Sequence, residues 1–362
     1  MKRAVFAYYT GTGNTLRALG PASEAVSREG YAIEWLDLGS GAPLPALGAG
    51  ELLVLGFPSL GFSPPSLVVE RLKSAGRLDG ADAAVLVACG ATWVKGKVSP
   101  GWSGAAPIVA ASLLRRKGAR VLATAEASYP ENWTQVSNPA GGEEAARLIG
   151  SGDAEARAFG ASLAAALGPA QGGGQGSFVR RNALTLSLGR FVGWIYRRLA
   201  RKALARFFVA DTSCTSCGLC ERTCPARAIR MRNGLPAWNL ACTSCNRCIN
   251  VCPARSIQAS RARLVLVLLP NLAAMFAALP AARAVLRASL PALPAGAFGP
   301  AAFGLGLVLF AAFTLLQVGP FDALLRWLER RPALRRAFSK GASSGFRRYL
   351  APDFKPGASR FR

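Results

Sequence analysis

The sequence predicts an α/β fold for the first half of the chain, with a doubly wound parallel sheet of five strands. The first observation is a set of five short apolar runs: Ala4–Tyr9, Ile33–Leu38, Leu52–Phe57, Ala83–Cys89 and Val121–Ala125. The second is that helical patterns separate or follow these runs, near residues 15–29, 66–76, 105–118 and 142–167. Such runs are typical of buried strands, and their alternation with helices indicates parallel strands with helices on both faces.

The charge is divided unequally along the chain. Residues 1–168 carry 15 Lys and Arg against 14 Asp and Glu, whereas residues 169–362 carry 29 against 5. This split predicts an anionic partner for the second part alone, with nucleic acid, anionic lipid and an acidic protein as candidates. The sequence has no histidine, which excludes histidine general bases, histidine metal ligands and histidine-ligated haem.

Composition predicts five segments. A neutral domain is followed by a Gly-rich linker with a basic helix, a cysteine module, an apolar region and a basic tail. Their boundaries are 1–168, 169–210, 211–260, 261–325 and 326–362. The apolar run Ala4–Tyr9 is too short for a signal peptide and a Gly-Thr-Gly turn follows it, so no signal peptide is predicted.

Eight of the nine cysteines form two runs of identical spacing, C-x2-C-x2-C-x3-C-P. They are Cys214, Cys217, Cys220 and Cys224, followed by Cys242, Cys245, Cys248 and Cys252. Three thiolates at this spacing can wrap one face of a cubane, while nearby backbone amides hydrogen-bond the sulfurs. The proline after each fourth cysteine is predicted to begin a short helix, over 226–229 and 254–257.

This spacing is that of bacterial two-cluster ferredoxins, in which the fourth cysteine of each run binds the other cluster. Cluster one would take Cys214, Cys217, Cys220 and Cys252, and cluster two would take Cys242, Cys245, Cys248 and Cys224. Zinc is the alternative, because C-x2-C pairs also bind zinc. Two complete runs, each closed by a proline, favour two [4Fe–4S] clusters.

A glycine-rich loop follows the first predicted strand and opens the first helix. It consists of Thr10, Gly11, Thr12, Gly13, Asn14 and Thr15. Amides at a helix N-terminus, with hydroxyl side chains, bind phosphate well. The loop matches neither the P-loop nor the dinucleotide pattern, and an ordinary tight turn is the alternative. It resembles the phosphate loop of flavodoxins, which implies FMN as the ligand.

In flavodoxins the flavin ring lies between loops at the carboxyl ends of the third and fourth strands. The resemblance implies that these loops are Pro58–Ser63 and Gly90–Gly96, with 129–133 closing the site. It implies further flavin contacts at Phe57, Ser59, Phe62, Gly90, Trp93, Tyr129, Asn132 and Trp133. Each aromatic taken alone is as compatible with the core as with a cofactor site, and Cys89 is expected to be a small buried residue.

Two lysines set this sequence apart from flavodoxins, whose flavin surroundings are typically acidic. If Lys95 or Lys97 lies near the ring, its charge favours the anionic reduced flavin and raises the flavin potential. This is a hypothesis that depends on where the loop places the two side chains.

A flavodoxin-like domain followed by a two-cluster module resembles the flavodoxin–ferredoxin fusion family of anaerobic electron-transfer proteins. The loop at 10–15, the segment 129–133 and the eight cysteines carry the resemblance, together with 207–211 and 234–238. It covers residues 1–258, and the sequence after them departs from it because typical members end soon after the second cysteine run.

Two apolar runs lie in that last part: Leu264–Leu279, extendable to Ala282, and Ala297–Gly319, which has 23 residues without a charge. A membrane span needs ~20 apolar residues. Arginines flank the pair, while the loop between them has only Arg283 and Arg287. The positive-inside tendency therefore predicts a membrane hairpin with the cluster module and the tail on the cytoplasmic side. Interfacial helices or a hairpin docked on the other domains are the alternatives, and anionic lipid is favoured over nucleic acid.

Together these features predict a membrane-associated electron carrier rather than a substrate-specific enzyme. FMN exchanges two electrons and a cluster exchanges one, so the chain would couple the two kinds of chemistry. The alternatives are a flavin-dependent reductase of the quinone or flavin type, and a basic, cluster-containing binding or regulatory protein. The donor and acceptor redox proteins are not identified by any residue.

Overall fold

The computed structural model describes residues 2–168, 176–329, 331–338 and 341–356. The chain forms two compact units. The first comprises Met1–Ala205, Thr215–Arg255 and Gly345–Arg362, and the second comprises Arg206–Cys214 and Ser256–Ser344. Residues 169–175 of the expected flexible linker lie outside the described residues.

A six-stranded sheet forms the centre of the first unit. Its strands are β1 (Lys2–Tyr8), β2 (Tyr31–Asp37), β3 (Leu52–Pro58), β4 (Asp82–Val94), β5 (Lys97–Ser99) and β6 (Arg120–Pro130). Five are parallel, in the order β2-β1-β3-β4-β6. This is the strand order of the flavodoxin-like doubly wound fold, so the predicted fold class is confirmed.

Four helices cover the two faces of this sheet. They are α1 (Asn14–Arg28), α2 (Ser66–Ser74), α3 (Ala106–Arg116) and α4 (Gly142–Leu167). Val5 of β1 belongs to a buried cluster with residues of α2 and α3. Phe6 belongs to a second cluster, with residues of α1 and α4. Successive strand residues face opposite sides, so a strand buried on both sides needs a continuous apolar run.

The short strand β5 is the part of this sheet that the sequence does not predict. It pairs antiparallel with the last residues of β4, which extends beyond Cys89 as far as Val94. The two strands are joined by Lys95 and Gly96, whose φ angles are +50° and +77°. A hairpin of this kind depends on its two-residue turn more than on hydrophobic patterning.

The cysteine module is built from short elements. The preceding helix runs through α5 (Ala183–Ile195), a π turn (Tyr196–Ala200) and α6 (Arg201–Arg206). The elements that follow are β7 (Phe208–Ala210), α7 (Leu219–Arg222), β8 (Ile229–Arg232), β9 (Leu235–Trp238), α8 (Arg247–Val251) and β10 (Ile257–Ala259). Strands β7 and β10 pair antiparallel within the second unit, as do β8 and β9 within the first.

The prediction of a helix after each proline of the cysteine runs is wrong. The short helices α7 and α8 precede the fourth cysteine of each run, and the chain after Pro225 and Pro253 turns into β8 and β10. Arg227 and Arg255 both have φ of +50°. Such a left-handed residue interrupts a right-handed helix.

Two long apolar helices dominate the second unit. The first contains α9 (Arg261–Arg263) and α10 (Leu269–Ser289), and the second contains α11 (Ala295–Leu316) and α12 (Asp322–Glu329). They are 29 and 35 residues long, and only 6% and 17% of their most apolar stretches are buried. A helix of 20 residues reaches about 30 Å, so both are long and apolar enough to cross a membrane. A last short helix, α13 (Pro332–Phe338), follows them.

The two long helices meet through small and polar residues. Ala282 and Ala302 are fully buried, and a methyl group built on Gly306 would lie 3.4 Å from the carbonyl oxygen of Ala278. Thr314 donates to Asn271 Oδ1 at 3.0 Å, and the Asn271 amide donates to Gln317. Close backbone approach with hydrogen bonds between helices is typical of helix pairs in membranes.

A group of buried charges ties the ends of these helices together. Asp322 forms ion pairs with Arg206 at 2.6 Å, with Arg263 at 2.7 Å and with Arg326 at 2.8 Å. Arg263 also donates to Glu329 Oε2 at 2.7 Å. The side chains of Arg263 and Asp322 are each only 3% exposed, so each charge depends on its partners for stabilisation.

Candidate functional site

The loop at residues 10–15 follows β1 and leads into α1, and its polar side chains are buried. The Gly13 N–H donates to Thr10 Oγ1 at 3.0 Å, and the Asn132 amide donates to Thr12 Oγ1. Both hydroxyl oxygens act as acceptors, so both keep a proton to donate. Thr15 Oγ1 is buried without a hydrogen-bond partner among the described residues. These hydroxyls fit an anion with several acceptor oxygens.

A small cavity opens at the carboxyl ends of β1, β3, β4 and β6, where doubly wound folds bind their ligands. Its lining consists of Thr10, Gly11, Thr12, Asn14, Thr15, Pro58, Ser59, Leu60, Ala88, Cys89, Gly90, Pro130 and Asn132. Its volume is about 60 Å³, several times the ~10–15 Å³ that a single water molecule needs. It therefore suits a small anionic group, and any larger attached part must extend beyond it.

The structure separates the expected flavin contacts into two groups. Ser59, Gly90 and Asn132 line the cavity together with five of the six loop residues. Phe57 and Tyr129 instead belong to the buried clusters on the two faces of the sheet. The Tyr129 hydroxyl donates to Asp153 Oδ1 at 3.1 Å.

Three further aromatics lie outside the cavity lining. Phe62 packs on Trp102 with ring centroids 4.6 Å apart, and the Arg147 guanidinium lies 5.3 Å from the centre of the Trp93 ring. Trp133 is 40% exposed. Lys95 and Lys97 are exposed around the turn between β4 and β5 and do not line the cavity.

Four cysteines from the two runs come together within the first unit. Burial is the main cause that raises the pKa of the Cys248 thiol, and the neighbouring Cys242, Cys245 and Cys224 raise it further. Cys224 of the first run thus lies near three cysteines of the second, and these are the four residues that the sequence predicts for cluster two. Binding of iron there must displace thiol protons.

Backbone and side-chain donors point at these sulfurs. The Ser244 N–H donates to Cys242 Sγ at 3.4 Å, and the Ala228 N–H donates to Cys224 Sγ at 3.3 Å. The indole of Trp238 adjoins Cys248 and opposes the rise that burial causes in the pKa of that thiol. Donors to the sulfurs are among the features that set the reduction potential of an iron–sulfur cluster.

The two cysteine runs share one backbone conformation. Left-handed residues occur at matching positions, as the pairs Ser216 and Ser244, Gly218 and Asn246, and Arg227 and Arg255. Their φ angles differ by at most 12° within a pair. Loops with such residues direct successive N–H groups to one side and form concave anion sites. Both runs therefore share a loop shape that suits an anionic group.

The four cysteines predicted for cluster one are distributed over the two compact units of the chain. Cys217, Cys220 and Cys252 belong to the first unit and Cys214 to the second. Among the described residues, no three Cys, Asp or Glu side chains are grouped so that they could hold a single metal ion. A cubane differs from a single ion in binding each thiolate to a separate iron atom.

The second cysteine run packs directly against the loop at residues 10–15. A methyl group built on Gly11 would lie 2.6 Å from the carbonyl oxygen of Cys245. Tyr9, which precedes the loop, places its hydroxyl 2.5 Å from Thr243 Oγ1. Arg247 donates to the carbonyl oxygens of Thr10 and Gly11. The sequence pattern gives no signal for these contacts, because more than two hundred positions separate the partners.

A C-terminal segment, defined here as residues 345–356, covers the other side of this loop. The Ala351 N–H donates to the Thr12 carbonyl at 2.8 Å, and the Tyr349 hydroxyl donates to Asn14 Oδ1 at 2.7 Å. A side chain at Gly13 would collide with Phe354, 2.5 Å away, and Gly13 also has φ of +102°. Sequence reasoning missed this cover, since the segment looks like an ordinary basic tail.

Comparison with known proteins identifies one module by sequence. Residues 213–261 match the family model of the 4Fe-4S dicluster domain. No curated protein sequence matches the chain. The chain thus combines a flavodoxin-like sheet with a 4Fe–4S domain, as the resemblance to flavodoxin–ferredoxin fusions implies, and these domains support a role in electron transfer.

Solved structures show similar folds at low identity. Flavodoxin 1 from Bacillus cereus is 17% identical over 43% of this chain and 97% of its own, with a TM-score of 0.28. An azoreductase from Bacillus anthracis is 14% identical over 44% of this chain and 99% of its own, with a TM-score of 0.30. Rubredoxin oxygen:oxidoreductase from Desulfovibrio gigas is 18% identical over 46% of this chain and 38% of its own, with a TM-score of 0.27. Likeness at this level says nothing about function, and the fold assignment rests on the strand order.

Proposed function

We propose that this chain is a membrane-associated electron carrier that relays electrons between FMN and two [4Fe–4S] clusters. The observation that supports it most directly is the contact between the second cysteine run and the loop at residues 10–15. The close approach of Gly11 to Cys245 places a predicted cluster ligand against the proposed phosphate site. The cofactors supply the redox chemistry, while the protein supplies their spacing and surroundings.

The residues at the loop fit the phosphate of FMN. Thr15 offers a buried hydroxyl that has no partner among the described residues, and Thr10 and Thr12 each keep a donor proton. A cavity of about 60 Å³ accepts a phosphate-sized group and leaves the ring outside it. When bound, FMN would supply two-electron chemistry that can be divided into one-electron steps.

Two clusters are favoured over one by the repetition in the module. The two runs share their spacing and the positions of their left-handed residues. If the second run has the backbone shape to bind a cluster, the first run has it too. The assembled group Cys224, Cys242, Cys245 and Cys248 is the proposed site of cluster two.

A carrier is favoured over a substrate-specific enzyme by the chemistry of the cavity. No carboxylate, lysine or arginine is among the described residues that line it. Its one lining thiol belongs to Cys89, and burial raises the pKa of that thiol to about 12. No lining residue is therefore poised to act as an acid or base near neutral pH.

Membrane association is proposed from the second unit. The two long helices expose apolar side chains such as Phe276, Leu307 and Leu315 while pairing their polar residues with each other. A soluble protein rarely exposes a continuous apolar surface of this extent. The excess of Arg and Lys after residue 168 would then contact anionic lipid headgroups on the cytoplasmic side.

The test is anaerobic purification of the full chain from separated membrane and soluble fractions, with analysis of iron, sulfide, zinc and flavin. We expect about eight iron atoms and one FMN per chain in the membrane fraction, as two four-iron clusters require. Stoichiometric zinc with little iron would overturn the cluster proposal. A chain that partitions entirely into the soluble fraction would overturn the membrane proposal.

A further inference from the structure

Arg247 is a buried cation in an unusual setting. It is 6% exposed and has no acidic partner within ion-pair distance among the described residues. Its guanidinium donates to three backbone carbonyls, those of Gly11 at 2.7 Å, Thr223 at 2.7 Å and Thr10 at 2.6 Å. The Phe354 ring lies 5.5 Å from the guanidinium carbon. Asp37 attracts it at longer range: burial raises the pKa of that carboxyl, and the charge of Arg247 opposes the rise. A buried charge without an ion-pair partner is costly, so an anion bound nearby would offset part of that cost.

The geometry of the peptide bond shows where such an anion would bind. In a trans peptide the carbonyl and the following N–H point in opposite directions, and the described chain has no cis peptide. The carbonyls of Thr10 and Gly11 accept from Arg247, so the N–H groups of Gly11 and Thr12 point away from it. Neither N–H has a hydrogen-bond partner among the described residues. Both residues line the cavity.

Arg247 also stands beside the proposed site of cluster two. It lies between Cys245 and Cys248 in the sequence, and the carbonyl it binds at Thr223 immediately precedes Cys224. Arg247 is thus close in sequence to Cys245 and Cys248, and its hydrogen bond to Thr223 brings it near Cys224. The same guanidinium donates to two carbonyls of the proposed phosphate loop.

We propose that Arg247 is a positioning residue that strengthens binding of the flavin phosphate and links the charge of that phosphate to the potential of cluster two. This inference rests on the proposed function, which supplies both groups. Arg247 polarises two peptide groups, and hydrogen bonds in such chains strengthen one another. The N–H groups of Gly11 and Thr12 become better donors to an anion without any contact between the guanidinium and the phosphate.

The link between the two sites follows from reciprocity. A phosphate held in front of Arg247 offsets part of the positive potential that Arg247 exerts on cluster two. Binding of FMN therefore lowers the reduction potential of cluster two, and reduction of the cluster weakens the binding of FMN by the same factor. Riboflavin, which lacks the phosphate, should bind without this effect.

The test uses the full chain with both clusters, purified anaerobically in detergent and depleted of flavin. FMN and riboflavin are titrated by flavin fluorescence into wild type, R247Q, R247K and R222Q. Arg222 is the matched control, since it also donates to a carbonyl of a cysteine run, that of Cys217 at 2.9 Å, but is exposed. We expect R247Q to weaken FMN binding at least ~10-fold, the loss of charge-assisted donors, and to leave riboflavin binding unchanged. R222Q should match wild type.

A second readout is potentiometric titration of cluster two, followed by EPR, with FMN, with riboflavin and with neither. In wild type we expect a lower potential with FMN than with riboflavin, and we expect R247Q to lower the potential in all three states, because it removes a positive charge beside the cluster. Should R247Q lose iron, R247K carries the test, because it keeps the charge but cannot make three bonds in a planar fork. Its affinity for FMN should then be weaker than that of wild type, with riboflavin binding unchanged.

The outcomes separate the two proposals. Wild type that binds neither flavin would contradict the flavin part of the proposed function. Wild type that binds FMN, together with an R247Q variant that binds it equally well and has the wild-type cluster potentials, would overturn the role of Arg247 alone. Loss of FMN affinity in R247Q with riboflavin affinity retained supports it.

Discussion

The Tyr9 hydroxyl lies 2.5 Å from Thr243 Oγ1, although 234 positions separate the two residues. Tyr9 follows β1 and is fully buried, and Thr243 lies in the second cysteine run between Cys242 and Cys245. Burial raises the pKa of Tyr9 well above its usual range, and the neighbouring Cys245 raises it further. The phenol therefore stays protonated, and the bond joins the sheet to the cysteine module.

Replacement of Tyr9 by Phe should loosen this junction. The variant leaves the Thr243 hydroxyl buried without its partner, which typically costs about 1–3 kcal/mol. Anaerobic urea unfolding, followed by cluster absorbance, measures the loss. The double variant Tyr9→Phe/Thr243→Val should recover part of it. Tyr31→Phe is the control, because Tyr31 is also buried in the sheet and its hydroxyl has no hydrogen bond among the described residues. Equal losses of stability in Tyr9→Phe and Tyr31→Phe would contradict the hydrogen bond between Tyr9 and Thr243.

Replacement of Trp238 by Phe should lower the reduction potential of cluster two. The neighbouring Trp238 opposes the rise that burial causes in the pKa of Cys248, and an indole N–H directed at a cluster sulfur favours the more negatively charged, reduced cluster. Phe keeps the ring but not the N–H group. EPR-monitored redox titration of the holoprotein measures the change. Trp133→Phe, at an exposed position, should leave the potential unaltered, and a shift of equal size in that variant would argue against a local effect.

The Cys89 thiol should be unreactive in the native protein. Burial is the main cause that raises its pKa to about 12, and the nearby Glu126 and Glu155 raise it further. A raised thiol pKa means less thiolate at a given pH, and thiolate is the reactive form. Iodoacetamide labelling at Cys89 should be negligible at pH 8 and should rise roughly tenfold per pH unit toward pH 12. Mass spectrometry of Cys89→Ser identifies any label on other cysteines, and rapid labelling of native Cys89 at pH 8 would contradict its burial.

Replacement of Asp322 by Asn should destabilise the second unit. Asp322 is the shared partner of Arg206, Arg263 and Arg326. Removing one partner from a buried charge group typically costs about 3–5 kcal/mol. Thermal unfolding in detergent measures the effect, with Asp353→Asn as the control because Asp353 is exposed. Unchanged stability in Asp322→Asn would mean that the arginines find other partners.

The sheet was predictable because its cause is local. A strand such as β1 must bury Val5 on one face and Phe6 on the other, so its sequence is a continuous apolar run that can be recognised alone. The hairpin strand β5 has no such run, and the Lys95–Gly96 turn that forms it carries little hydrophobic information. The same alternation of faces explains why the aromatics Phe57 and Tyr129 lie in the core.

The site was predictable only in part, because its neighbours come from distant sequence. Gly11 and Gly13 suit a phosphate loop, but in the structure each is also required by a close approach, of Cys245 and of Phe354 respectively. No local pattern reports that Arg247 binds Thr10 and Gly11. The spacing of the cysteines could be recognised, whereas the surface on which they dock could not.

The C-terminal segment that covers the loop at residues 10–15 also has a consequence for the order of biosynthesis. The loop is translated near the beginning of the chain, and Tyr349, Ala351 and Phe354 are translated after both long apolar helices. A ribosome-bound chain therefore presents the loop uncovered until the helices have been made. The proposed flavin site therefore acquires this part of its surroundings last, when synthesis of the final residues allows Phe354 to reach Gly13.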